Sequence, residues 1–322
     1  MKPAFNTAGL LAFLIALSFI SSCHKKDFLE GYDKRELFAA PIATEVTDVM
    51  QRWQTADLTP SGYSVQSEQQ VAAGRFVLRI VSFQLQGNTE YGALVIPNEA
   101  GSFPVRMQIG GFGYGVTTNS LSLSLNTAGP SNPCILAIPA LRGQSLELTL
   151  DGVVYKTPVS QGQHCDAFDG ATDDALAFLN LIGGTEPRAD VNRTAIRGGS
   201  RGGTVALLAG IRDARVKRVV CVAGPTDMLS LTAMHTNDAT YQCQFLSDLV
   251  SNQATVAATR QKMIASSPVY FAGHLPLTQL HMGSRDTQVP IWQADELAAS
   301  MTAAGVAAKL ELFKYDRAHS DI

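Results

Sequence analysis

The sequence predicts one α/β domain: a mostly parallel sheet with helices on both faces and an antiparallel N-terminal edge. Three observations predict it. Short apolar runs bounded by Gly, Pro or Asn recur along the chain, as buried central strands do. Segments with a helical apolar stripe fall between them, and strict alternation of the two marks a parallel sheet with crossover helices. Two β-rich runs, Arg75 to Leu85 and Tyr91 to Ile96, are joined through Gly87-Asn88, a turn signal that makes an antiparallel hairpin.

Composition supports a folded domain. Of 322 residues, 46% are hydrophobic and 16% charged, against about 25% charged in an average soluble domain, which excludes a disordered or polyelectrolyte chain. Net charge is −3 and there is no Lys/Arg-rich block, so the basic footprint of a nucleic-acid binder is missing. No Pro/Ser/Gly linker divides the chain, so residues 31–322 are expected to form a single domain.

The start of the chain is an address. Lys2 precedes an apolar run from Gly9 to Ile20, shorter than the roughly 20 residues of a membrane-spanning helix and suited to a signal-peptide core. It ends in Ile20-Ser21-Ser22-Cys23, which resembles a bacterial lipobox: a branched apolar residue, two small residues, then a cysteine that becomes lipidated. Residues 1–22 are then a lipoprotein signal peptide and Cys23 the mature, lipid-anchored N-terminus, holding the protein to the cell envelope at the outer membrane or the periplasmic face. The simpler alternative is ordinary secretory cleavage with Cys23 as a spare thiol. Residues 23–30, opening His24-Lys25-Lys26-Asp27, are expected to be a disordered tether.

Export leaves Cys134, Cys165, Cys221 and Cys243 in an oxidising compartment, with up to two disulfides among them and the pairing open. Cys221 lies in the apolar run Val219 to Val222, where a buried free thiol is the simpler expectation. The spacings fit no zinc pattern, so no metal site is expected.

After the hairpin, strands are expected at Val105 to Ile109, Ile135 to Ile138, Thr194 to Ile196, Val216 to Val222, Leu277 to His281 and Lys309 to Phe313. Helices are expected at Thr44 to Thr55, where Trp53 is a packing anchor, and at Ala171 to Ile182, Gly203 to Ile211 and Gln293 to Ala304. In the second, Ala175, Leu176, Phe178, Leu179 and Ile182 form one stripe, and Asp173 and Asp174 sit near the positive end of the helix dipole. Ligands of such a sheet bind at the carboxyl ends of its strands.

Chemistry concentrates at Gly198-Gly199-Ser200-Arg201-Gly202-Gly203, a G-x-S-x-G pattern directly after one apolar run and directly before the helical run from Thr204. That context makes it a nucleophile elbow. A tight strained turn lifts the Ser200 hydroxyl above the sheet, and the flanking glycines let neighbouring backbone pass. The Arg201 N–H, at the start of the helix, then points at a developing oxyanion. A serine needs a base, expected in the chain order Ser, Asp/Glu, His. Asp286 follows the strand Leu277 to His281 and is the expected acid, with Asp227, after the preceding strand, as a rival. His319, after the last strand, is the expected base. His24 lies in the tether and His281 inside a strand, while His164, His235 and His274 have no strand-end context and are expected to be structural or on the surface.

Four blocks, Gly110-Gly111-Phe112-Gly113, Asp173-Asp174-Ala175-Leu176, Gly198 to Gly203, and Asp286 to Pro290 with His319, give the segment from Arg75 to Ile322 its likeness. It resembles the α/β-hydrolase fold and, within it, the catalytic domain of the prolyl oligopeptidase family of serine peptidases. The run Pro139 to Gln144, with Arg142-Gly143, is similar to a loop of the acetyl xylan esterases as well. The resemblance implies a Ser200–His319–Asp286 triad, an oxyanion hole from the N–H groups of Arg201 and of Phe112 or Gly111, and no cofactor.

Three departures bear on substrate. Ile109 stands where post-proline-specific members often carry a tyrosine. The stretch before the first strand is too short for the propeller that gates peptide entry in the oligopeptidases, which leaves access open to small esters or acylated glycans as well as peptides. Arg201 follows the nucleophile where an aromatic or neutral residue is commoner. A cation there suits an acidic substrate, but a salt bridge to a loop carboxylate is the expectation. Residues 228–267, with Met228, Met234, Tyr241, Phe245 and Met263, are expected to form a lid insertion whose apolar stripe is lid core. The reading is an exported serine hydrolase of peptides or esters. Its alternatives are a carboxyl- or acetyl-xylan-type esterase and a non-catalytic substrate-binding lipoprotein.

Overall fold

In the computed structural model, which describes residues 27–113, 115–121 and 133–322, the apolar runs pair into one sheet. Cys23 and the signal run lie outside the described residues. The chain opens with helices α1 (Lys34–Leu37) and α2 (Ala43–Thr55), followed by strands β1 (Ser61–Val71), β2 (Phe76–Leu85), β3 (Asn88–Pro97), β4 (Phe103–Ile109), β5 (Gly115–Thr117), β6 (Ile135–Ala140), β7 (Ser145–Leu150) and β8 (Val153–Lys156). Then come α3 (Asp169–Thr185), β9 (Ala189–Gly199), α4 (Arg201–Arg212) and β10 (Val216–Val222). Short helices α5 (Met228–Met234), α6 (Ala239–Tyr241), α7 (Ser247–Val250) and α8 (Val256–Ala265) lead to β11 (Leu277–Gly283), α9 (Trp292–Ala303) and β12 (Leu310–Tyr315).

Nine strands run in the order β1-β2-β3-β6-β4-β9-β10-β11-β12. β1, β2, β3 and β6 are successively antiparallel, and from β6 to β12 every pairing is parallel. This is the α/β-hydrolase fold. From β4 the chain steps one way to β6, and it returns on the other side of β4 as β9. That reversal opens a crevice at the carboxyl ends of β4 and β9, where open α/β sheets bind ligands.

The hairpin pairs Leu85 with Asn88 as expected, but β1 lies outside it as the true edge. Its sequence, SGYSVQSEQQV, is exposed along almost its whole length, so it carries no alternating apolar signal. A second sheet, β5-β7-β8, was equally silent except for the buried alternation Leu146, Leu148, Leu150. Both faces of the parallel strands are covered, and Met107, Ile196, Val219 and Leu280 share one core with Phe178 of α3 and Leu207 of α4. No described helix is long and apolar enough to cross a membrane.

A further correction concerns the start of the domain. The tether expected over 23–30 gives way by Phe28, which is half-buried, while Leu29 is fully buried with Leu229 and Phe245. An apolar pair in a polar run is enough to dock it. Trp53 does anchor α2: its ring lies 4.5 Å from that of Phe271 and its indole N–H donates to Asp169 at 2.7 Å.

Candidate active site

β9 delivers Ser200 into a turn with φ 52° and ψ −125°, a strained conformation for a residue with a side chain. The flanking glycines make it possible. A Cβ on Gly198 would stand 1.9 Å from the Gly202 carbonyl oxygen, and one on Gly202 would stand 2.6 Å from the carbonyl oxygens of Ile109 and Gly110. The Ser200 N–H donates to the Val222 carbonyl at 2.7 Å, tying the elbow to β10, and its own carbonyl accepts from Gly203 at 2.8 Å.

Two loops at neighbouring strand ends bring a carboxylate and an imidazole to it. Ser200 Oγ lies 2.9 Å from His319 Nε2, and His319 Nδ1 lies 2.6 Å from Asp286 Oδ2. With the proton on Nδ1 donated to the carboxylate, Nε2 is the acceptor for the serine hydroxyl. The second oxygen of Asp286 accepts from the N–H groups of Gln288 and Val289, each at 2.8 Å, and its carboxylate is wholly buried. The loop before His319 is fastened to the acid's own loop. Ser284 N–H donates to Tyr315 at 2.8 Å and Arg285 N–H to Arg317 at 3.1 Å, while the Arg285 guanidinium pairs with Asp316 at 3.0 Å.

The rival Asp227 is engaged elsewhere. It caps α5, accepting from the Ser230 N–H at 3.0 Å, from the Ser230 hydroxyl at 2.5 Å and from the Tyr270 hydroxyl at 3.0 Å. Among the other histidines, His281 lies in β11, bonded to Tyr315 at 2.8 Å and stacked on Phe313. His235 stacks on Tyr241 with ring centres 5.0 Å apart.

Gly111, after β4, stands against the nucleophile: a Cβ on it would lie 3.6 Å from that of Ser200. Gln144, in the turn after β6, donates to the carbonyls of Gly111 at 2.9 Å and Gly113 at 3.0 Å. Holding those carbonyls toward Gln144 fixes the peptide planes of the loop opposite Ser200. This positioning role was missed in the sequence, where Gln144 signalled only as part of the Arg-Gly loop. Arg201 opens α4, and the first N–H groups of a helix have no partner within it.

The salt bridge expected for Arg201 is not formed among the described residues. Its Nε donates to the Ala167 carbonyl at 2.8 Å and its guanidinium lies 5.7 Å from the centre of the Phe112 ring. The carboxylates nearby belong to Arg142, which donates to Asp174 at 2.7 Å and to Asp166 at 2.8 Å.

Two recesses meet at Ser200 and His319. One, of about 350 Å³, is lined by Gln108, Ser120 and Arg197. The other, of about 410 Å³, is lined by Phe112, Phe168, Arg201, Tyr241 and Gln244. One wall of the second is stapled. Cys165, before α3, is disulfide-bonded to Cys243 in a π-helical turn after α6, and Gln244 accepts from the Ala167 N–H at 2.8 Å. Residues 228–267 thus form a run of short helices beside the site. Among the described residues Cys134 and Cys221 are free, and burial pushes the Cys221 thiol up to about 12.

Fold and site together define the class, an α/β hydrolase with a serine at its elbow. Residues 169–320, which carry Ser200, Asp286 and His319, match the model of the prolyl oligopeptidase family, and the protein is a serine hydrolase. Acetyl xylan esterase from Paenibacillus sp. R4 superposes with a TM-score of 0.62 and 18% identity over 89% of this chain and 94% of its own. Acetyl xylan esterase 1 from Thermoanaerobacterium sp. JW/SL YS485 gives 0.57 and 16%, over 87% and 88%. Acylaminoacyl peptidase from Pyrococcus horikoshii gives 0.57 and 16%, over 76% of this chain but 38% of its own. No curated protein matches the sequence.

Proposed function

We propose that Ser200, His319 and Asp286 form the catalytic triad of an exported, lipid-anchored acyl hydrolase. The observation that carries the reading is the continuous hydrogen-bonded chain from Asp286 through His319 to Ser200 on a strained elbow. His319 takes the hydroxyl proton as Ser200 Oγ bonds to the acyl carbon, and Asp286 stabilises the imidazolium. The N–H groups of Arg201 and of Gly111 or Phe112 receive the oxyanion, a contribution of about 10²–10³ in rate per donor in well-studied cases. The tetrahedral adduct collapses as His319 gives its proton to the leaving group. Water, deprotonated by His319, then releases the acid from the acyl-enzyme. None of these steps requires a cofactor.

A small acyl ester is the substrate class best supported. The site opens through two recesses, and the acetyl xylan esterases match over nearly their full length. A peptide bond is the second reading, favoured by the prolyl oligopeptidase family match. A fluorophosphonate probe with mapping of the adduct tests the mechanism. The expected adduct is on Ser200 alone and is lost in Ser200→Ala, whose turnover falls by about 10⁴-fold or more with the fold intact. No adduct on a folded protein would leave a binding lipoprotein as the reading. Ester and peptide panels then separate the two bonds.

The anchor rests on Ile20-Ser21-Ser22-Cys23. Cys23→Ser is expected to move the protein from the membrane to the soluble fraction. Retention in the membrane would point to an uncleaved, purely hydrophobic anchor.

A further inference from the structure

We propose that the Arg201 guanidinium is a specificity group that binds a carboxylate carried on the substrate's acyl chain. The inference rests on the acyl-hydrolase reading and adds a substrate class to it.

Arg201 is 4% exposed. Its Nε is satisfied by the Ala167 carbonyl, but Nη2 is buried with no hydrogen-bond partner among the described residues. Leaving a donor of a buried cation unmet is costly, and such groups ordinarily have a partner. The protein had carboxylates to give. Asp166 and Asp174 both lie in the same pocket of structure, and both are taken by Arg142. Burial lowers Arg201 to about 10, opposed by the nearby charge of Asp174 and reinforced by that of Arg142, so the group is still a cation at neutral pH, and no carboxylate among the described residues is in ion-pair contact with it.

Position supplies the second half. The residue adjoins the nucleophile and lines the same 410 Å³ recess as Ser200 and His319. The rings of Phe112 and Phe168, with centres 6.1 Å apart, give that recess an apolar wall for a short methylene chain. Phe112, 51% exposed, has its ring 5.7 Å from the guanidinium, and the proposal requires it to turn for a ligand to reach Nη2. A guanidinium presents a planar fork that a carboxylate fills with two parallel hydrogen bonds. An acyl group with a terminal carboxylate, bound with its carbonyl at Ser200 and its methylenes along the aromatic wall, would meet that fork.

Half-esters of dicarboxylic acids test this. Monoethyl glutarate and ethyl pentanoate differ in one terminal group, and their hydrolysis is followed by acid release. The expected ratio of kcat/KM favours the glutarate ester in the wild type and falls at least about tenfold in Arg201→Met. Arg201→Lys, which keeps charge without the fork, should fall between. In parallel, glutaramate, which carries one terminal carboxylate, should slow fluorophosphonate labelling of Ser200 where pentanamide, which carries none, does not at equal concentration, and Arg201→Met should lose that protection. Labelling itself reports whether the nucleophile is active, so failure of the hydrolase reading is seen separately, as no adduct at all. A wild type that labels but neither prefers nor is protected by the carboxylate overturns the proposal. So does a preference that persists in a folded Arg201→Met protein.

Discussion

Two arginines beneath the same rim show opposite uses of a buried charge. Arg142 is closed on itself: Asp174 and Asp166 take its donors, and the carboxylate of Asp174 is almost wholly buried with it. Arg201 has one carbonyl and an aromatic ring. The same contrast separates the carboxylates. Asp227 spends both oxygens on a helix cap and a tyrosine, whereas one oxygen of Asp286 is held by its own loop and the other is turned to His319. Asp227 and Arg142 have their partners inside the fold, whereas Asp286 is turned to His319, which lines both recesses, and Arg201 lines one of them with a buried donor unmet among the described residues.

The largest effect comes from exchanging the acids. Asp286→Asn keeps the shape of the loop but leaves His319 in the wrong tautomer, and kcat is expected to fall about 10⁴-fold. Asp227→Asn should stay within a few-fold of wild type, since Asn caps a helix about as well as Asp. Steady-state kinetics on one ester decide it. Equal losses in both would break the distinction drawn between them.

The two arginines are compared next, by urea unfolding. Arg142→Met strands a buried carboxylate and is expected to cost about 3–5 kcal/mol. Arg201→Met removes a buried cation that has no carboxylate partner, leaving one carbonyl without its donor, at a cost of about 1 kcal/mol or less. A loss at Arg201 as large as that at Arg142 would show that Arg201, too, is structural.

Much of this was legible because buried parallel strands and the elbow write themselves into sequence. The expected strand Val216 to Val222 matches β10 residue for residue. Ser200, Asp286 and His319 could be chosen from chain order and strand-end context, since each lies within a few residues of the carboxyl end of an apolar run. What stayed hidden lacks a local pattern. β1 is a polar ribbon made a strand by pairing with β2. Phe28 and Leu29 look like part of a tether until the apolar surface they dock on is in place. Gln144 reaches across more than thirty positions to Gly111, and the partner of Arg201 depended on whether Arg142 had already taken the carboxylates. Long-range competition for partners is a tertiary fact, with no trace in spacing.

One member of the closed cluster is not at ease. Glu90 is 2% exposed and its Oε2 has no hydrogen-bond partner among the described residues. Burial, and then the neighbouring charge of Asp174, push its carboxyl up to about 9. Between the ordinary carboxylate range and that value the folded protein holds a proton that the unfolded chain has released, so stability falls as pH rises. The slope from this group is at most about 1.4 kcal/mol per pH unit. Glu90→Gln keeps the shape and removes the titration. It is expected to match the wild type at pH 4, to exceed it increasingly toward pH 9, and to flatten the dependence of the urea midpoint on pH between. A variant that follows the wild-type curve in parallel would mean that Glu90 is ionised in the fold. The cluster around Arg142 would then hold a third negative charge and lean on its arginine more heavily than its hydrogen bonds suggest.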